Sequence, residues 1–317
     1  MSRSLKLALC AISCALSLPT AQASDVTGLT TFTSGTPARA NEVNDNFGAV
    51  KSAVDDNHAR IAALEATIAQ LAARLEALEN SQVMALNPYI DVQSANGPTV
   101  VLTGANLQIV NGMERSASTN GLGNLILGYN EARTSGTEVC SIGADANDVP
   151  LLDEATCSAA GGVWALNHKS GSHYLVVGPE NNFSRWSGIV VGWSNTANHS
   201  YAAVSGGAQN TASGFASSIS GGVQNAATNS YASVVGGTAN EARGSFATVS
   251  GGNSNIASGN GSTVSGGRQN EASGTFSSAT GGQRNTATGD YSVVSGGNVR
   301  SSNGEHDWVA GSLLEDL

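Results

Sequence analysis

Seven glycine pairs, each 15 residues after the last, constrain this chain more than anything else in it: Gly206-Gly207, Gly221-Gly222, Gly236-Gly237, Gly251-Gly252, Gly266-Gly267, Gly281-Gly282 and Gly296-Gly297. Four residues past the first glycine of six pairs stands an asparagine, at Asn210, Asn225, Asn240, Asn255, Asn270 and Asn285. Two further on comes alanine, at Ala212, Ala227, Ala242, Ala257, Ala272 and Ala287. Self-similarity at fixed period marks a stacked repeat, in which each unit buries its face against the next. A bulky globular core fits poorly, because only 5% of residues are aromatic and 12% are charged. The expected fold class is mainly β: a parallel β-solenoid, or β-roll, of 15-residue rungs forming a head over residues 169–304.

Each rung reads as two short strands and two turns. Two residues before the glycine pair stand Val204, Ile219, Val234, Val249, Val264, Ala279 and Val294, and four before it Ala202, Ser217, Ala232, Ala247, Ser262, Ser277 and Ser292. Equal parity puts both columns on one face, and their small size requires a close opposite wall, supplied by the alanines. The asparagines share the alanines' parity and are expected to form a ladder from rung to rung. Gly214, Gly244, Gly259, Gly274 and Gly289, with Asn229 in one repeat, suggest a left-handed turn. A column of opposite parity to the valines holds Tyr201, Tyr231, Phe246, Phe276 and Tyr291. It is expected to face outward as a contact column, for chain-to-chain packing ahead of sugar binding.

Arg3 and Lys6, an apolar run from Leu7 to Leu18, and Ala21-Gln22-Ala23 lay out a secretory signal over residues 1–23. The run is too short for a membrane span, and no later segment suits one, so no integral membrane segment is expected after cleavage. Residues 24–80 hold the next pattern. Ser34-Gly35-Thr36-Pro37 predicts a helix start with Thr36 as N-cap. Phe47, Val54, Ile61, Ile68 and Leu75 then alternate with Val43, Val50, Leu64, Leu71 and Leu78 at spacings of four and three. Asn57 alone breaks the apolar seam while keeping its register. Such a seam predicts a parallel coiled-coil stalk. Arg60 and Arg74 at g face Glu65 and Glu79 at the following e positions, which suits parallel, in-register helices. Isoleucine at a with leucine at d leans toward two strands on general rules.

Residues 81–136 are expected to be a β lead-in region. Its short strands are Tyr89 to Gln93, Val100 to Leu102, Leu107 to Val110 and Leu125 to Leu127, the last matching Leu175 to Val177 in one stack. Residues 137–168 interrupt the repeat and carry Cys140 and Cys157, the cysteines that remain after signal removal. In an exported chain they predict a disulfide closing an inserted hairpin. Asp145, Asp148, Asp153 and Glu154 could gather calcium, but solvated loop acids are the simpler reading. Residues 305–317, with Trp308 and Leu313 to Asp316, are expected to cap the last rung.

Strings such as Ser245-Phe246-Ala247-Thr248-Val249-Ser250-Gly251-Gly252 and Asn270-Glu271-Ala272-Ser273-Gly274 resemble the head repeats of YadA-like trimeric autotransporter adhesins. The resemblance covers residues 173–304 and implies a left-handed β-roll, three of which pack about one axis. It implies binding to host or environmental surfaces. Asn57 resembles the polar d-position layer of trimeric adhesin stalks, where asparagines surround an anion, which favours a trimer over a dimer. Phe32-Thr33-Ser34-Gly35-Thr36-Pro37-Ala38 with Glu42-Val43-Asn44 and Asn46-Phe47 is similar to a segment preceding coiled coils in secreted proteobacterial proteins. Two departures stand out: the family's period is usually 14, and its C-terminal translocating barrel has no counterpart in these residues.

No catalytic constellation and no metal-ligand set emerges, and no cofactor is expected. The five histidines are scattered, and no nucleophile elbow occurs. Glu241 and Glu271 share an exposed column two rungs apart. At about 4.8 Å per rung that places them roughly 10 Å apart, beyond the roughly 6.5–9.5 Å of inverting glycosidases. A net charge of −10 argues against nucleic acid. The expectation is a non-enzymatic homotrimeric fibre, secreted or on the surface of a Gram-negative-type bacterium, that attaches through its head to an unknown surface, glycan or protein ligand. Alternatives are a tail-spike-like or carbohydrate-processing β-solenoid, or a structural fibre or coat component.

Overall fold

The computed structural model describes residues 24–94, 97–143, 145 and 149–311. Residues 1–23, where a secretory signal is expected, Asp148 and the segment Leu313 to Asp316 lie outside them. The chain divides into two compact units after Asn106.

The first unit is built on one helix, Ala40–Glu79, followed by a single turn at Gln82–Ala85 and an antiparallel hairpin of Ile90–Gln93 with Thr99–Leu102. The helix starts later than its sequence suggests. Thr36 donates its hydroxyl to Thr33 O at 2.8 Å in a turn with Gly35 at φ +90, so it caps nothing. Arg39 is the N-cap, and its backbone N–H donates to Glu42 Oε2 at 3.4 Å. Ahead of the helix, Thr30 and the Asn46 amide exchange two hydrogen bonds of 2.7 and 2.9 Å, which lays the preceding segment along the first turns.

The second unit is a parallel β-solenoid. Eleven strands, from Leu125–Leu127 to Trp308–Val309, stack into one sheet, and nine, from Asn182–Phe183 to Ser301–Ser302, into another. A third face is a line of single bridges running from Trp193 through Ala208, Val223, Thr238, Asn253, Arg268 and Gln283 to Asn298. Leu125 to Leu127 pair with Leu175 to Val177 in the register the sequence suggests. By contrast, Leu107 to Val110 form no strand. The chain stays in the solenoid past residue 304: Trp308 and Val309 pair with Val293 and Val294, so 305–309 form another rung where a cap was expected.

Small side chains fill the coil. The valine column and the alanines of the facing wall are buried, as are Ala202, Ala232, Ala247 and the serines that alternate with them. A bulkier interior occurs only at the first rungs, where Tyr174 and Phe183 pack with ring centroids 5.4 Å apart and Gly188 makes room for the tyrosine ring. The Tyr174 hydroxyl reaches Ala197 O and His199 O, and its burial raises the phenol's pKa well above the usual value. The first rungs are also shorter. Val176, Val190 and Val204 are paired neighbours 14 residues apart, whereas from Val204 onward the spacing is 15. The longer rungs carry one residue more between the inward valine and the next left-handed glycine.

Three left-handed corners close each long rung, one more than the two turns expected. They fall on the second glycine of the pair, on the residue two further on (Gln209, Gln224, Ala239, Ser254, Gln269, Arg284, Val299) and on the aromatic column. The glycines of the Gly214 column, expected to be left-handed, are not. Their reason is proximity: a Cβ on Gly244 would lie 2.0 Å from Gly259 O in the next rung. Asn229 occupies this column and donates to Arg243 O at 3.3 Å. The two glycines of a pair are therefore unequal. A Cβ on Gly236 meets nothing, while on Gly237, at φ +87, it would sit 2.2 Å from Gly252 O. Gly236→Ala is expected to leave the unfolding free energy from denaturant titration within about 0.5 kcal/mol of wild type, and Gly237→Ala to cost about 2 kcal/mol or more; equal effects would contradict this account.

Candidate functional site

Nine buried asparagines run up the solenoid: Asn130, Asn181 and Asn195 precede the six seen in the sequence, Asn210, Asn225, Asn240, Asn255, Asn270 and Asn285. Each side-chain oxygen accepts the backbone N–H of the next asparagine at 2.8–3.0 Å, and the last accepts from Arg300 N at 2.9 Å. Each repeat amide nitrogen donates to the carbonyl four residues back and to a glycine carbonyl one rung on, as Asn240 does to Gly236 O at 2.9 Å and Gly252 O at 3.0 Å. The ladder therefore runs from amide to backbone, and only Asn255 adds a direct amide–amide bond, to Asn240 Oδ1 at 3.2 Å. Every polar atom is used, which makes full burial tolerable. These residues hold rungs together.

The aromatic column is an outer seam of ring contacts in two runs, Tyr201 to Phe246 and Phe276 to His306. Tyr201, Tyr231, Phe246, Phe276 and Tyr291 are each about half exposed. Their positive φ identifies them as corners, where the sequence suggested strand positions. Tyr231 stacks on Phe246 at 4.9 Å and Phe276 on Tyr291 at 5.6 Å, and His306 extends the stack from Tyr291 at 5.1 Å. Two rungs lack an aromatic here, and neighbours compensate. Phe215, one position before Ala216, lies 5.4 Å from Tyr201 and 5.6 Å from Tyr231. Phe276 lays its ring against bare Gly261, where a Cβ would come within 2.5 Å.

Cys140 and Cys157 are disulfide-bonded with Cα atoms 5.6 Å apart. The bond ties the hairpin of Val139–Cys140 and Trp164–Ala165 to a short helix, Glu154–Ala159. Asp153 caps that helix by accepting Thr156 N–H at 2.9 Å, and this bond lowers its carboxyl pKa. Asp145 accepts Val149 N–H at 2.9 Å. Both acids thus serve local turns. Among the described residues no group of three or more His, Cys, Asp or Glu is placed to hold a metal ion.

The insert leans on the solenoid at Gly143, packed against Asn198 O and Ser213 O, and Asn198 Nδ2 donates to Cys140 O at 2.6 Å. Arg133 anchors the same region: it donates to Glu180 O, Asn195 O and Thr196 Oγ1 at 2.8–3.0 Å, and its burial brings its pKa down to about 10. Between insert and solenoid opens a cleft of about 1020 Å³, with Trp164 on one wall and Trp193, Gln209, Gln224, Thr211 and Glu241 on the other. Glu241 is paired with Arg243, and Glu271 lies two rungs on, across Ile256. The two carboxylates therefore do not converge on one cleft position.

Asn57 accepts the Ser24 backbone N–H at 3.0 Å within the single chain. Arg60 lies 4.0 Å from Asp56 on its own helix. Among the described residues no helix is long and apolar enough to cross a membrane. The sequence matches no protein-family model and no curated protein.

The cleft residues escaped sequence reading, although one signal was present. The spacing Gly-x-x-Asn at Gly178 and Asn181 and at Gly192 and Asn195 continues the repeat upward, which would have placed Trp193 on a rung beside the insert. Replacing Cys140 and Cys157 together by alanine is expected to remove about 3 kcal/mol from the insert while the distant rungs persist. Hydrogen exchange should accelerate within 137–168 and stay unchanged around Asn255 and Asn270; uniform protection would contradict a local role.

Proposed function

We propose that this chain is an exported, non-enzymatic, homotrimeric attachment fibre with a coiled-coil stalk and a solenoid head. The observation that carries the reading is unpartnered apolar surface laid out in register. Along Ala40–Glu79 every apolar seam residue from Phe47 to Leu78 is exposed, with Phe47 at 70% and Ile68 at 64%. A lone helix with such a seam is poorly stable, whereas each large apolar side chain buried between chains contributes about 1.5–3 kcal/mol. The second unit exposes apolar side chains as well: Leu125, Ile126, Leu127, Tyr129 and the aromatic seam. Patches of that kind mark contact surfaces. Symmetric association brings identical faces together, so the aromatic seam serves to pack head on head.

Export is supported by the disulfide, which persists in oxidising compartments. The attachment role rests on the likeness of the repeats to adhesin heads and on a rigid rung stack with an exposed outer face. Light scattering of the secreted protein is expected to give three times the protomer mass; a monomer or dimer would sink the trimer. Ile61→Asp with Ile68→Asp is expected to yield monomers. Full-length trimer should be retained on at least one surface in a panel of immobilised glycans and matrix proteins. No retention would leave the structural-fibre alternative, and glycan hydrolysis lost in Glu241→Gln would favour the carbohydrate-processing one.

A further inference from the structure

We infer that the cleft between the disulfide insert and the second solenoid sheet binds a neutral oligosaccharide chain laid along the solenoid axis. The inference names the ligand class for the attachment proposed above and takes its setting from that reading, though the cleft is formed within a single chain.

Size comes first. At about 1020 Å³ the cleft lies at the upper end of small-ligand sites, about 300–1,000 Å³, and has room for several sugar rings. Its walls come next. Trp164 lines the cleft from the insert hairpin while packing, partly buried, on the Cys140, Leu151 and Cys157 core, and Trp193, half exposed, begins the third face of the solenoid. The position below Trp193 in that face is Ala208, so the large indole is followed by a small neighbour. Indole faces in a polar cleft suit the C–H faces of pyranose rings, and their amphipathic character allows contact without full burial.

One polar group repeats between two rungs. Gln209 and Gln224 occupy the same left-handed corner in successive rungs, and Thr211 and Thr228 join the lining from two different columns. Amide and hydroxyl groups both donate and accept, which matches sugar hydroxyls. The rung rise of about 4.8 Å is close to the repeat of an extended hexose chain, so successive rungs can present the same group to successive sugars.

Charge disfavours an anionic ligand. The Arg133 guanidinium is spent on three protein acceptors, and Arg243 is paired with Glu241. Glu138 and Glu180 add negative charge to the lining. A sulfated or phosphorylated ligand would therefore meet carboxylates without an uncommitted cation to offset them.

Tryptophan fluorescence of the full-length protein, titrated with maltotetraose, cellotetraose or chitotetraose, tests the assignment beside a sulfated tetrasaccharide and a neutral decapeptide. At least one neutral tetrasaccharide should saturate, with affinity reduced about tenfold or more in Trp193→Ala and in Gln224→Ala. Ala239 already occupies the Gln224 corner one rung on, so Gln224→Ala leaves the backbone intact even if Trp193→Ala misfolds. Trp308→Ala, on the last rung and outside the cleft, should bind as wild type. No saturation by any neutral sugar, saturation by the sulfated sugar or the peptide alone, or unchanged affinity in both cleft variants overturns the assignment. Surface retention that survives in Gln224→Ala rejects the sugar cleft and keeps the attachment reading. Tetrasaccharide binding without retention on any surface does the reverse.

Discussion

Each turn of this solenoid is held to the next by an asparagine amide that makes three bonds at once, and much of the rung design follows from that contact. The side-chain oxygen takes the N–H of the next rung's asparagine, and the nitrogen joins a carbonyl of its own rung to a glycine carbonyl of the following one. For the amide to reach both, the backbone must pass so near that the facing residue carries no Cβ. A Cβ on Gly237 would fall 2.5 Å from Asn240 Nδ2 and 2.2 Å from Gly252 O. Asparagine and second glycine are thus one device written in two residue types. Replacing either leaves buried polar groups unpaired or forces rungs apart, costs that propagate only to nearest neighbours in a quasi-one-dimensional stack.

That device explains what sequence reading could and could not see. Periodicity fixed the inner valines, the alanine wall and the asparagine column, because a parallel stack superimposes equal positions and parity decides inside from outside. It misjudged the glycines. Gly214 and Gly237 look alike on paper, yet one is required by a neighbouring carbonyl and the other by both a left-handed corner and a neighbouring carbonyl. Period alone does not separate these causes. The third face was also missed, since a single bridge per rung imposes no residue type: Ala208, Val223, Thr238, Asn253, Arg268 and Gln283 share a column and little chemistry. Helix capping failed for a local reason, the diversion of the Thr36 hydroxyl to Thr33 O.

The aromatic seam shows how the same stack tolerates costly local geometry. Bulky residues at positive φ are uncommon, and each costs roughly 1 kcal/mol or more. Here each corner is pinned by a backbone bond from the aromatic N–H to the previous rung, as Tyr231 N–H to Phe215 O at 2.8 Å. The corner turns the ring outward, where it meets the ring above. Where a rung offers alanine or glycine, the neighbouring ring moves over, as Phe215 and Phe276 do. What the molecule preserves is an outer apolar stripe in two runs of touching rings, and individual aromatic positions are secondary to it.

Specific recognition in such a molecule belongs where the repeat is broken. A regular stack offers identical rungs and cannot by itself distinguish one position along the axis from another. The disulfide insert supplies the distinction: it enters after the first strand of the stack, rests on Asn198 and Ser213, and overhangs a few rungs only. The rungs beneath keep their period, so the insert contributes shape and one tryptophan while the solenoid contributes a second tryptophan and the Gln209–Gln224 pair. The shorter 14-residue rungs and the Tyr174–Phe183 interior lie at this same end, giving the overhang a stiffer base than alanine and valine alone provide. A rigid wall beneath a stapled overhang is preorganised, which lowers the entropic cost of holding a flexible ligand.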